Sequence, residues 1–151
     1  MMNDFYNTTH KGLKKKLGPV LFQMPPAYKY TEERLDAIME QLDTGFTNVM
    51  EFRHSSWWVS EVYKKLAKKK ISFCGMSHPE LPSDVIQNTR KLYYRFHGVP
   101  NLYSSEYDAV VLKKFYDEVE NGGKTKQAFI YFNNDIGGSA IINARTMKEF
   151  G

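Results

Sequence analysis

Cysteine is nearly absent from this chain of 151 residues: Cys74 is the only one. No intrachain disulfide can form, and no thiolate cluster can be assembled around a metal. Histidine is scarce too. His10, His54, His78 and His97 are the four present, and none stands at a His-x-x-x-His or similar ligand spacing, so no metal site is expected. His97 with Glu51 would hold an ion only if ligands came from elsewhere. Nothing in the sequence names a cofactor. No apolar stretch approaches the ~18 residues of a membrane span. The start, Met1-Met2-Asn3-Asp4, lacks the basic and apolar regions of a signal peptide. Low-complexity segments and linkers are missing as well. These absences read as a single cytoplasmic domain over residues 1–151, without a membrane partner.

Aromatic residues are plentiful, with ten Tyr and ten Phe, which argues for a packed core rather than disorder. The net charge is +4, and a basic chain invites a nucleic-acid reading. The lysines weaken it. Lys14 to Lys16, and then Lys64, Lys65 and Lys68 to Lys70, fall on the polar side of helix-like segments, as a solvated helix face would. Nucleic acid is therefore a secondary reading of the partner class.

Five short β-branched or aromatic runs recur: Val20 to Met24, Asn48 to Phe52, Ile71 to Met76, Lys91 to His97 and Gln127 to Asn133. Between them lie helical spacings such as Leu35, Ile38, Met39, Leu42 and Val62, Tyr63, Leu66. Ser77 to Asn88 reads as a long loop. Strands alternating with helices specify a parallel sheet.

Side chains alternate faces along a strand. Leu92, Tyr94 and Phe96 oppose Tyr93, Arg95 and His97; Met50 and Phe52 oppose Val49, Glu51 and Arg53; Ile130 and Phe132 oppose Phe129, Tyr131 and Asn133. One face of each strand is wholly apolar, while the other turns polar toward its C-terminal end. A doubly wound sheet would make both faces apolar, whereas a barrel places its chemistry at the C-terminal mouth. The expected fold is α/β, a partial (β/α) barrel of the TIM type.

Four motifs carry a resemblance. Leu17-Gly18-Pro19-Val20-Leu21-Phe22-Gln23-Met24-Pro25-Pro26, Glu51-Phe52-Arg53-His54 with Trp57, Tyr94-Arg95-Phe96-His97-Gly98 and Tyr131-Phe132-Asn133-Asn134-Asp135 resemble the YecE-like family, the domain of unknown function 72. The resemblance implies a TIM barrel of roughly the usual ~250 residues. It aligns this chain with family strands 4 to 8, so that the first three strands are missing and the barrel is not closed. It implies no established activity. Where many members carry an aspartate, this chain has Ser77-His78-Pro79.

Glu51, Arg53, Arg95 and His97 are the candidate catalytic group. A carboxylate and an imidazole can move a proton while two guanidiniums hold an anion. A buried ion-pair network is the structural alternative. Gln23, Tyr131, Asn133, Asn134 and Gly138 are candidate substrate contacts, the last because helix N-termini favour anions. The expected ligand is a small anionic or phosphorylated molecule. The alternatives are a module that binds without catalysis and a barrel fragment without function. An unclosed sheet should also expose its edge strands, leave Leu21, Val49 and Tyr93 open to water, and favour self-association.

Overall fold

Five β-strands and five α-helices follow one another along the chain, and every strand pair described is parallel. A computed structural model describes residues 2–151. The chain divides into two units, Met1–Ser72 and Phe73–Gly151. Its fold class is the α/β, partial TIM-type barrel that the strand–helix alternation predicts.

In the first unit α1 (Met2–Leu13) buries Tyr6, whose ring stacks on Phe46 at 4.5 Å between centroids. The Tyr6 hydroxyl donates to Asn48 Oδ1 at 2.8 Å. Asn48 in turn donates to the Asp43 carbonyl at 2.7 Å, so a buried amide at the start of a strand has both ends satisfied. β1 (Val20–Gln23) and β2 (Asn48–Glu51) pair from Val20 opposite Asn48 to Gln23 opposite Glu51. Between them α2 (Glu32–Gln41) begins at Thr31, whose side chain accepts from the Arg34 amide, the usual service of a threonine N-cap. Leu35 and Ile38 are its buried face.

Trp57 anchors the turn after β2. Its ring lies on Phe52 at 3.9 Å and 11°, and its indole N–H donates to the Tyr28 carbonyl at 2.6 Å. The pair of contacts suits a side chain that is apolar in body and polar at one tip. His54 caps this turn by accepting from the Ser56 amide at 3.2 Å. α3 (Ser60–Lys68) buries Val62 and Leu66. Lys64, Lys68, Lys69 and Lys70 are exposed, and Lys65 pairs with Glu32.

The second unit carries β3 (Ser72–Ser77) from Phe73 onward, β4 (Lys91–Phe96) and β5 (Gln127–Phe132), with α4 (Ala109–Asn121) and α5 (Ser139–Lys148). Leu92, Tyr94 and Phe96 pack with Leu112, Phe115, Val119 and Met147 in one core cluster, and Ile130 and Phe132 lie against it. That is the apolar face predicted by alternation. Gly75 is required beside it, because a Cβ there would stand 2.7 Å from the Tyr94 ring. Asp108 caps α4 by accepting from the Val111 amide at 2.8 Å. The helix exits through Gly123, whose φ of 62° suits a glycine.

One expectation is corrected here. Val49 and Tyr93 are buried rather than open to water. Tyr93 is covered within its own unit by the rings of Tyr131 and Phe129, at 4.9 and 6.4 Å. Large aromatics on the strand face shield one another where small side chains could not. β5 remains exposed at Gln127, Ala128 and Tyr131.

Candidate functional site

The C-terminal ends of β4 and β5 place three predicted residues together. Arg95 pairs with Tyr131 in strand register, and the Asn133 amide N–H donates to the Phe96 carbonyl at 2.7 Å, which extends the pairing one step beyond β5. Arg95 donates to Asn133 Oδ1 at 3.3 Å, and Asn133 Nδ2 lies 3.4 Å from His97 Nδ1. Parity predicts this meeting, since all three belong to the face opposite Leu92, Tyr94 and Phe96. His97 is fully buried, Arg95 and Asn133 are half-buried, and Tyr131 is 45% exposed.

The backbone around His97 is held from two sides. Its N–H donates to the Ser77 carbonyl at 2.9 Å, and its carbonyl accepts from the Tyr103 amide at 2.6 Å. Gly98 follows at φ 94°, where an added Cβ would meet the Asn101 carbonyl at 2.7 Å. The chain thus folds tightly back beneath the histidine. Tyr103 sits at φ 64°, an uncommon conformation for a bulky residue and one often found near functional sites. Its ring is edge-on to His97 at 6.1 Å, and His78 lies 5.8 Å away.

Tyr107 is the brace of this loop. Its hydroxyl accepts from the Gly98 amide at 2.8 Å and donates to Ser77 Oγ at 2.8 Å. Burial pushes its phenol above the ordinary value, with its hydrogen bonds to Ser77 and Gly98 opposing. Asn143 holds the same residue by its backbone, donating to the Tyr107 carbonyl at 2.6 Å and accepting from its amide at 3.1 Å.

The other candidates lie apart from this group in role. Asn134 is fully buried, and its Nδ2 donates to the Ser105 carbonyl and to Asn143 Oδ1, both at 2.9 Å. It secures the loop. Gly138 has φ 83° before α5. Its amide donates to the Asp135 carbonyl at 3.0 Å, and the Ala140 amide to the Asn134 carbonyl at 3.1 Å. Two of the N–H groups that a helix start would offer an anion are thus engaged. In the first unit, Glu51 is fully buried and pairs with Arg53 at 2.5 Å, beside exposed Gln23 in the neighbouring strand.

Among the described residues no group of three or more His, Cys, Asp or Glu is placed to hold a metal ion. No described helix is long and apolar enough to cross a membrane. What the strand ends of the second unit offer is a guanidinium, an amide and an imidazole in one chain of contacts.

Comparison with known proteins identifies the group these motifs come from. The family described as "Protein of unknown function DUF72" matches residues 1–150. The chain belongs to the DUF72 family. A crystal structure of a DUF72 family protein from Thermotoga maritima MSB8 is similar at 29% identity and a TM-score of 0.86, covering 98% of this chain and 63% of that one. Two structures of a DUF72 family protein from Enterococcus faecalis V583 share the fold. They match at 18% and 21% identity with TM-scores of 0.84 and 0.81, covering 99% of this chain and 64% and 67% of theirs. The chain therefore spans just under two thirds of the first two relatives. No curated protein matches it.

Within this DUF72 chain, the sequence pattern does not mark Tyr103, Tyr107 or Asn143 as part of this group. Tyr107 and Asn143 follow no strand, and their partners lie nine to thirty-six residues away. The aromatic density around His97 was the one signal that could have singled out Tyr103.

Proposed function

We propose that the strand ends of the second unit bind a small anionic or phosphorylated molecule, with Arg95 as its cation and His97, Asn133 and Tyr131 as its neighbours. The observation that carries this reading is the half-buried Arg95 held through Asn133 to a fully buried histidine. A guanidinium steadied in this way gives up little freedom on binding an oxyanion. The strand ends are also where barrel folds carry their sites. The reaction class that fits such a ligand is proton transfer. Glu51 with Arg53 forms a second polar group at the end of β2 that fits the same chemistry or a structural ion pair.

Inorganic phosphate titrated into the full chain tests the binding. The expected result is saturable binding that weakens roughly tenfold or more in Arg95→Ala, the scale of a lost charge-assisted hydrogen bond. Unchanged affinity in that variant, or no binding by the parent chain, would overturn the reading. A steep salt dependence of binding to a DNA or RNA oligonucleotide, without phosphate binding, would favour the nucleic-acid alternative.

A further inference from the structure

The Asn133 amide is oriented by a neighbour that can only donate. Arg95 stands 3.3 Å from Oδ1, and a guanidinium has five N–H groups and no acceptor. Rotating the amide by half a turn would set donor against donor, so its oxygen belongs on the Arg95 side. The amide nitrogen is left facing His97 Nδ1 at 3.4 Å. That nitrogen donates, so Nδ1 accepts. A neutral imidazole that accepts at Nδ1 carries its proton on Nε2.

We propose that Asn133 is a positioning residue which passes the fixed polarity of Arg95 to His97 and holds the ring as the neutral Nε2–H tautomer. The ligand class follows, and this step rests on the binding reading above. The Arg95 guanidinium, half-buried where His97 is fully buried, donates only, so the group it takes is an acceptor, a carboxylate or a phosphoryl oxyanion. His97, held neutral and with Nε2 buried, is then neither the general acid nor the general base toward that ligand.

The surroundings of the ring point the same way. A proton added at Nδ1 would face the Asn133 N–H and place a second positive charge near Arg95. His78, 5.8 Å away, is the other titratable imidazole beside it, and Tyr103, at 6.1 Å, is the neighbouring phenol. Turning the Asn133 amide to accept from a protonated Nδ1 would forfeit its bond from Arg95. The backbone contacts of Asn133 and His97 to Phe96 and Ser77 keep both residues in place.

Long-range nitrogen–proton NMR correlations on the full chain read the protonated ring nitrogen directly, with His97→Gln identifying the signals. At neutral pH the expected result is a proton on Nε2 of His97. Asn133→Asp, whose carboxylate can only accept, should move that proton to Nδ1, and Asn133→Ala should leave a mixture. A parent ring protonated at Nδ1 or charged at neutral pH, or an Asn133→Asp ring with an unchanged tautomer, overturns the proposal. The parent spectrum decides even if a variant does not fold. Inorganic phosphate should then shift the Arg95 guanidinium signals, identified with Arg95→Ala. Failure of phosphate to bind removes the ligand class and the binding reading while leaving the tautomer result intact.

Discussion

The Tyr107 hydroxyl donates to Ser77 Oγ at 2.8 Å and ties the loop after β4 to the C-terminal end of β3. The same oxygen accepts from the Gly98 amide, so one phenol satisfies two groups that lie beneath His97. Tyr107→Phe keeps the ring against Phe96 and leaves a buried N–H and a buried hydroxyl unmatched. The expected cost is about 1–3 kcal/mol. A urea midpoint equal to that of the parent chain would show that the brace contributes nothing.

Glu51 and Arg53 should behave as a unit. Arg53→Ala leaves a fully buried carboxylate without its guanidinium, an expected loss of about 3–5 kcal/mol. Glu51→Gln removes the charge and keeps the shape, so it should cost less and leave the fold intact. Replacing both, as Glu51→Gln with Arg53→Met, should be milder than Arg53→Ala alone. Denaturant titration of the three variants gives the coupling directly, and purely additive losses would contradict a coupled pair.

Alkaline pH should destabilise the chain. Burial is the first cause raising the phenols of Tyr6, Tyr93, Tyr94 and Tyr107. Each is above the ordinary tyrosine value of 10.0 when folded, so the folded state holds its proton more tightly than the unfolded chain. Their contribution is therefore complete below about pH 10 and is lost as pH rises through the folded values. Stability followed by denaturant midpoint should show no fall from these groups below about pH 9 and a clear one above about 10. Tyr107→Phe should shallow that slope.

Strand β5 offers an exposed edge, with Gln127, Ala128 and Tyr131 accessible and no proline or lysine inside the run. Such edges favour pairing with a further strand. Self-association of this chain is expected to rise with concentration in sedimentation velocity, and Ala128→Lys, which sets a charge on the edge, should suppress it. A monodisperse monomer at all concentrations would refute the idea.

The strand pattern was legible because alternation and helical spacing are local signals. Observed strands begin within one residue of the predicted runs, and their ends fall one residue early at Gln23, Glu51, Phe96 and Phe132. Backbone bonds still continue one step further there, from Met24 to Glu51, His97 to Ser77 and Asn133 to Phe96. Parity also foretold that Arg95, His97 and Asn133 would meet. It could not foretell that Asn134, next in sequence to Asn133, would turn away to hold Ser105 and Asn143. Polar loop networks depend on distant partners, and no periodicity marks them. The burial of Tyr93 was missed for a related reason: parity assigns a face, but not which neighbouring ring lies across it.

Cys74 lies in β3 with none of its surface exposed. A thiol reagent can reach it only in molecules that have opened locally or globally around that strand. When reclosing outpaces labelling, the rate of modification divided by that of an unshielded thiol gives the opening equilibrium. With one cysteine in the chain, the bulk reaction reports a single position, and no probe has to be engineered. The natural sequence thus contains its own clock for the breathing of the strand that bears Ser77.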